Sequence, residues 1–161
     1  MRAMNLERRS VGAAGALVLA VLMSSSSLAD GGSPIEVKAT AAVRQNHELV
    51  PADRVVPGDE VFYTLEIRNT GPRPLATPTV DFAIPEHMRY LANSAVGAGA
   101  EVSYSVDGGH TFGRPETLMV AAGGGEPRLA TATEYTHIRW RFKHSLKSKA
   151  MALARFRAVV E

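Results

Sequence analysis

The sequence contains no cysteine, so neither a disulfide framework nor a cysteine-linked lipid is open to it, and any fold must rest on packing alone. Long apolar runs are also missing: the charge-free stretch Val11 to Met23 falls short of the roughly 20 residues that span a bilayer. No Gly-x-Ser-x-Gly elbow, no Gly-x-x-x-x-Gly-Lys and no His-Glu-x-x-His occurs, so the sequence offers no nucleophile elbow, phosphate loop or zinc-protease helix. The histidines His47, His87, His110, His137 and His144 are scattered, with no pair spaced to meet on one metal from a single element, and are read as solvated or turn residues. Gly123-Gly124-Gly125 lacks the flanking strand and helix of a nucleotide loop and reads as a flexible connection. The expectation is a protein that is not an enzyme and carries no cofactor.

What is present begins with a leader. Arg2, Arg8 and Arg9 form a positive head, Val11 to Met23 an apolar core, and Ser27-Leu28-Ala29 a small-residue cleavage site. This is the plan of a signal peptide cut after Ala29. The residues after Arg8-Arg9 fit the twin-arginine consensus poorly, which favours general secretion. The expected product is exported, whether periplasmic, attached to the cell surface or secreted, with no transmembrane anchor in its mature part.

Removing the leader takes away three arginines and Glu7, leaving 15 basic and 15 acidic residues. Residues Asp30 to Pro127 carry 7 basic and 13 acidic side chains, whereas Arg128 to Glu161 carry 8 and 2. The last quarter is therefore basic. The expected organisation is a leader at 1–29, an N-terminal segment with a first strand at 30–50, and one domain at 51–161.

Period-two alternation dominates that domain. Val61, Tyr63, Leu65 and Ile67 alternate with Phe62, Thr64, Glu66 and Arg68, a strand with one buried face. Asn69-Thr70-Gly71-Pro72 stops it with turn chemistry. Val80, Phe82 and Ile84 repeat the pattern until Pro85, which cannot donate to a ladder. Val102, Tyr104 and Val106 follow, then Ile138, Trp140 and Phe142, and finally Ala154, Phe156, Ala158 and Val160. An opening strand near Ile35 to Val43 and short strands near Arg89 to Leu91 and Leu118 to Val120 bring the expectation to seven to nine antiparallel strands. Strands with one apolar face each call for two sheets packed face to face. The expected fold class is all-β, a β-sandwich.

Certain of these residues resemble a known family. Pro57-Gly58-Asp59 ahead of the Val61 strand, Asn69-Thr70-Gly71-Pro72 after it, and Val80-Asp81-Phe82-Ala83-Ile84-Pro85 beyond are similar in order and spacing to the bacterial surface-protein repeat family called domain of unknown function eleven. Tyr104 to Gly109 and Ile138-Arg139-Trp140 extend the likeness, which covers about Pro51 to Val160. The pattern occurs once in the chain. The resemblance implies an Ig-like sandwich in an envelope or secreted protein and no catalytic residues.

Ser105 to Phe112 fits the Asp-box pattern Ser-x-Asp-x-Gly-x-Thr-aromatic, which is similar to the hairpins of sialidase-like propellers. Its physics is that of a turn: Asp107 accepts hydrogen bonds from the turn's amides, the glycines supply positive φ, and Phe112 packs underneath. A propeller needs four or more such blades, and this chain has room for scarcely more than one. Asp53, Asp59, Asp81 and Asp107 sit singly beside turns, where they cap the turn or gather calcium between loops.

The remaining candidate is a basic face. If the strands bearing Arg139, Arg141 and Lys143 and those bearing Arg155 and Arg157 pair as a hairpin, their outward side chains form one positive ladder, extended by Lys147 and Lys149. Such a patch suits an anionic glycan or lipid head groups rather than nucleic acid, because no aromatics interleave for base stacking. The alternative is a solvated face that guards a sheet edge. The leading functional expectation is a non-catalytic envelope module that assembles with another envelope or surface protein.

Overall fold

The computed structural model describes residues 34–121 and 123–161; the expected leader and the expected cut after Ala29 lie outside the described residues. Among those residues eleven strands follow in chain order: β1 (Ile35–Gln45), β2 (Glu48–Pro51), β3 (Glu60–Asn69), β4 (Thr79–Ala83), β5 (Met88–Tyr90), β6 (Val96–Gly97), β7 (Ala100–Ser105), β8 (Met119–Val120), β9 (Arg128–Leu129), β10 (His137–Phe142) and β11 (Met151–Val160). Helical structure among them is one 3-10 turn, Ala132–Glu134. The protein is all-β with antiparallel sheets, and no helix of the described residues is long and apolar enough to cross a membrane.

The alternation in the sequence sets which side of each strand is dry. In β3, Val61, Tyr63, Leu65 and Ile67 are all buried. In β11, Ala154, Phe156, Ala158 and Val160 are buried while Arg155 and Arg157 are exposed. β3 lies between β1 and β11, and β5 and β6 pair with the far side of β11, giving a six-stranded sheet that ends on β2. β10 lies between β4 and β7 in a three-stranded sheet. Among the described residues β8 and β9 pair only with each other.

The inner faces of the two larger sheets meet in one apolar cluster. Phe156 of β11 stacks on Tyr63 of β3 at 4.6 Å and meets Phe82 of β4 at 5.6 Å and Trp140 of β10 at 6.2 Å between ring centroids. Tyr90 of β5 and Tyr104 of β7 join hydroxyls at 2.9 Å across the same interior. Buried apolar area of this kind supplies the main favourable term in folding. Two polar atoms in the cluster, the Tyr63 hydroxyl and Trp140 Nε1, are buried without a hydrogen-bond partner among the described residues.

The turn after β3 is cross-braced by one side chain. Asn69 is fully buried; its Nδ2 donates to the carbonyls of Arg73 at 2.8 Å and Leu146 at 3.0 Å, and its Oδ1 accepts from the Gly71 amide at 2.9 Å. The Asn-Thr-Gly signal therefore marks more than a stop. It ties the end of β3 to the connection between β10 and β11.

Three strands, β2, β6 and β9, were not foreseen from periodicity. Each has four residues or fewer, too few to display an alternation. β10 and β11 do not pair: residues 143–150 carry the chain from one sheet to the other, bridging Leu146 to Leu75 on the way. β1 and β2 share a sheet with β3, and β2 spans the boundary expected between the N-terminal segment and the domain. Gly123 to Gly125 lie in the connection between β8 and β9.

Candidate functional site

The outer face of the three-stranded sheet gathers the most polar chemistry. It starts at the turn that follows β7. Ser105, fully buried, donates its hydroxyl hydrogen to Asp107 Oδ1 at 2.6 Å and accepts from the amides of Asp107 and Gly109. Asp107 then accepts from the amides of His110 and Thr111 and, at 2.6 Å, from the Thr111 hydroxyl. These donors, Ser105 first, hold the Asp107 carboxyl well below the usual carboxylate range. Gly109, at φ 88, sits so close to the His137 ring that a Cβ there would meet it at 3.1 Å. Asp107 is thus a turn cap, as the Asp-box pattern implies.

Phe112 behaves differently from expectation. It is half-buried outside the main cluster, and the Arg139 guanidinium lies over its ring, 3.7 Å from the centroid. Arg139 is also held by a fork: Nε and Nη2 donate to the two carboxylate oxygens of Asp81, each at 2.7 Å. The register explains the pair, because Arg139 stands directly opposite Asp81 on β4. A fork on a carboxylate combined with a stacked ring restricts the guanidinium far more than either contact alone.

The next outward rung repeats the arrangement. Arg141 stands opposite Glu101 on β7 and donates Nη2 to its Oε2 at 2.7 Å, while Arg114 bonds the other oxygen. Arg141 first, then Arg114, pull the Glu101 carboxyl down to about 2. His137, on the same face, is half-buried and has its pKa lowered, chiefly by desolvation.

The five basic residues read from the sequence therefore do not share a face. Arg139, Arg141 and Lys143 belong to or follow β10 in the three-stranded sheet, and Arg155 and Arg157 belong to β11 in the six-stranded one. Trp140 and Phe156, the inward neighbours, meet between the sheets, so the arginines on the opposite parity point away from each other. The positive ladder does not form, because it depends on a hairpin that the crossover replaces. Arg157 is moreover bonded to Glu60 at 2.8 Å. Lys143 and Arg155 enter no ion pair among the described residues.

Three of the four aspartates considered for calcium are engaged in other contacts. Asp107 caps its turn, Asp81 holds Arg139, and Asp59 Oδ2 accepts the Val56 amide at 2.9 Å. Among the described residues no three His, Asp or Glu side chains gather as metal ligands would. Two clefts among the described residues measure about 180 Å³, beside Arg44 and Phe62, and about 150 Å³, beside His144 and Leu146. Both are smaller than the roughly 300–1,000 Å³ of small-molecule pockets.

The contributions of Phe112 and Asp81 were missed by sequence reasoning. Asp81 and Arg139 lie 58 residues apart, and only their shared outward parity hinted at a meeting. No protein-family model matches the chain, and no curated protein or solved structure matches it.

Proposed function

We propose that this protein is an exported, non-catalytic module of the cell envelope, an Ig-like β-sandwich with a structural or protein-interaction role. Its leader-like N-terminus supports the export. Two antiparallel sheets sharing one core, together with the order of the Pro-Gly-Asp, Asn-Thr-Gly and Asp-Pro signals, support the Ig-like assignment and the likeness to bacterial surface-protein repeats. The observation that carries the role is the outer face of the three-stranded sheet. Its charges are bonded to one another, Asp81 to Arg139 over Phe112 and Glu101 to Arg141 and Arg114. A face of ordered, mixed-sign groups around an aromatic ring suits the surface of another protein, where complementary charges set orientation.

A polyanion-binding role is the second reading, favoured by Lys143 and Arg155 as uncommitted cations. It is the weaker one, because the two stand on different sheets and no glycan or lipid surface reaches both at once in a single flat contact.

Cell fractionation with N-terminal sequencing tests the proposal. The expected product starts at Asp30 outside the cytoplasm, and cross-linking there captures an envelope protein from wild type but less of it from a Phe112→Ala, Arg139→Ala double variant. A cytosolic protein starting at Met1 contradicts export. Equal capture by wild type and variant contradicts the role assigned to this face.

A further inference from the structure

His137 stands at the start of β10 on the outer side of the three-stranded sheet, opposite Ala83 of β4 and Ser105 of β7. The turn that follows β7 folds back over it. A Cβ added to Gly109 would meet the imidazole at Cδ2, Nε2 and Cγ, 3.1, 3.3 and 3.4 Å away, so the ring is the seat on which this corner of the turn rests. Gly108 and Gly109 both take positive φ, 76° and 88°, which suits glycine. Each gives its amide hydrogen to a hydroxyl of the sheet, Gly108 to Thr136 at 3.1 Å and Gly109 to Ser105 at 2.9 Å.

The same hydroxyl of Thr136 fixes the state of the ring. Thr136 donates its hydroxyl hydrogen to the Ser105 carbonyl at 3.2 Å, so His137 Nδ1, 3.2 Å from that oxygen, is the donor in their contact. The neutral ring therefore carries its hydrogen on Nδ1, and Nε2, the atom against Gly109, is left to take a proton. The charged groups around it are Asp81 on β4, Asp107 and His110 on the turn, and Arg139 two residues along β10; β7 offers the uncharged Ser103 and Ser105 on this side. Both carboxylates are engaged elsewhere, Asp81 with Arg139 through both oxygens and Asp107 with Ser105, His110 and Thr111. A hydrogen on Nε2 would thus lie under the corner without a ready acceptor, which a half-buried polar group avoids.

We infer that His137 is a proton-operated latch on the Gly108–Gly109 corner: the neutral ring seats the corner, and a ring protonated at Nε2 leaves from under Gly109 and lets the corner lift from the sheet. Desolvation lowers the His137 pKa against the opposing pull of Asp81 and Asp107, so the folded state favours the neutral ring. The stability that this seat supplies is complete above the unfolded histidine value of about 6.5 and is lost as pH falls below it through the folded one. Gly113 exchanges two bonds of 2.9 Å with Tyr104 and holds the far end of the turn, which confines the change to Asp107 through Phe112. A further consequence rests on the reading of this face as a contact for another protein: acid reshapes the surface beside Phe112 and Arg139 and weakens that contact.

Nuclear magnetic resonance on the purified protein tests the latch without any partner. The histidine ring signals and the exchange protection of the Gly108 and Gly109 amides are followed from about pH 8 to about pH 5, the range in which histidine changes charge. The expected result is a neutral ring with its hydrogen on Nδ1, a His137 midpoint below about 6.5, and loss of protection at both amides with that same midpoint. His137→Phe keeps a ring under Gly109 that cannot take a proton, and its amides are expected to show no step. His110→Gln removes the other histidine of the turn and is expected to leave the step in place. Amides that stay protected while His137 titrates overturn the latch. So does a neutral ring with its hydrogen on Nε2, a step that survives in His137→Phe, or one that disappears in His110→Gln. The wild-type titration decides even where a variant does not fold. Cross-linking at both ends of the same range keeps the two readings apart. Equal capture at both ends contradicts the weakening in acid, and no capture at either end with the amide step intact contradicts the contact reading while supporting the latch. A missing amide step contradicts the latch whatever is captured.

Discussion

Trp140 on β10 and Phe156 on β11 face each other across the interior, 6.2 Å between ring centroids, although the two strands are consecutive in the chain and belong to different sheets. Phe156 also touches Tyr63, Phe82 and Tyr90, so one ring joins strands of both sheets. Phe156→Ala is expected to cost about 3–5 kcal/mol, a large part of the roughly 5–15 kcal/mol that holds a domain of this size together. Urea denaturation followed by tryptophan fluorescence measures it. A loss under about 1 kcal/mol would mean the two sheets do not depend on this contact.

Tyr63 and Tyr90 are both buried, but their hydroxyls differ. That of Tyr63 has no partner among the described residues, and burial pushes its pKa up to about 12. The Tyr90 hydroxyl meets that of Tyr104 at 2.9 Å and accepts the Ala95 amide at 3.0 Å. Tyr63→Phe removes an unmet polar group and should leave stability unchanged or raised, whereas Tyr90→Phe orphans two others and should lose about 1–3 kcal/mol. Paired denaturation curves compare them. Equal losses from both would show that the Tyr63 hydroxyl finds a partner in solution.

Acid sensitivity follows from the carboxylates. Glu101 and Glu134 are pulled down to about 2, by arginine pairing first, and Asp107 is lowered as well, Ser105 first among its causes. A group whose folded pKa is depressed stabilises the protein fully above its unfolded pKa and loses that contribution as pH falls through the folded one. For Glu101 the window runs from about 4.5 down to about 2. The melting temperature should fall through that window, and Glu101→Gln should shallow the fall. An unchanged slope in the variant would remove Glu101 from the account.

Heparin retention separates the two functional readings. Arg139, Arg141 and Arg157 are each bonded to a carboxylate, and the basic residues divide between two outward faces. Replacing Arg139, Arg141 and Arg157 with neutral residues should therefore leave the salt concentration of elution nearly unchanged. A clearly earlier elution would restore the polyanion role.

Much of the fold was legible along the chain. Val61 to Ile67, Val80 and Phe82, Ile138 to Phe142 and Ala154 to Val160 show which residues turn inward, because alternation is a property of neighbouring residues in an extended strand. Asp107 was legible as a turn cap for the same reason, its partners lying within four residues. The candidate face was legible only in pieces. Arg139 and Arg141 were visible as outward cations, but not the Asp81 and Glu101 carboxylates that hold them or the Phe112 ring beneath Arg139. The grouping of Arg155 and Arg157 with them failed because chain adjacency suggested a hairpin where the chain crosses between sheets.

By itself, then, the sequence determined that this protein has no disulfide and which side of each long strand is greasy, since composition and period are local facts. Only the tertiary structure decided which strands are neighbours, hence which arginine meets which carboxylate. The physical reason is that a strand's backbone groups accept any partner strand equally well, and the choice among them is made by burying all the apolar faces at once.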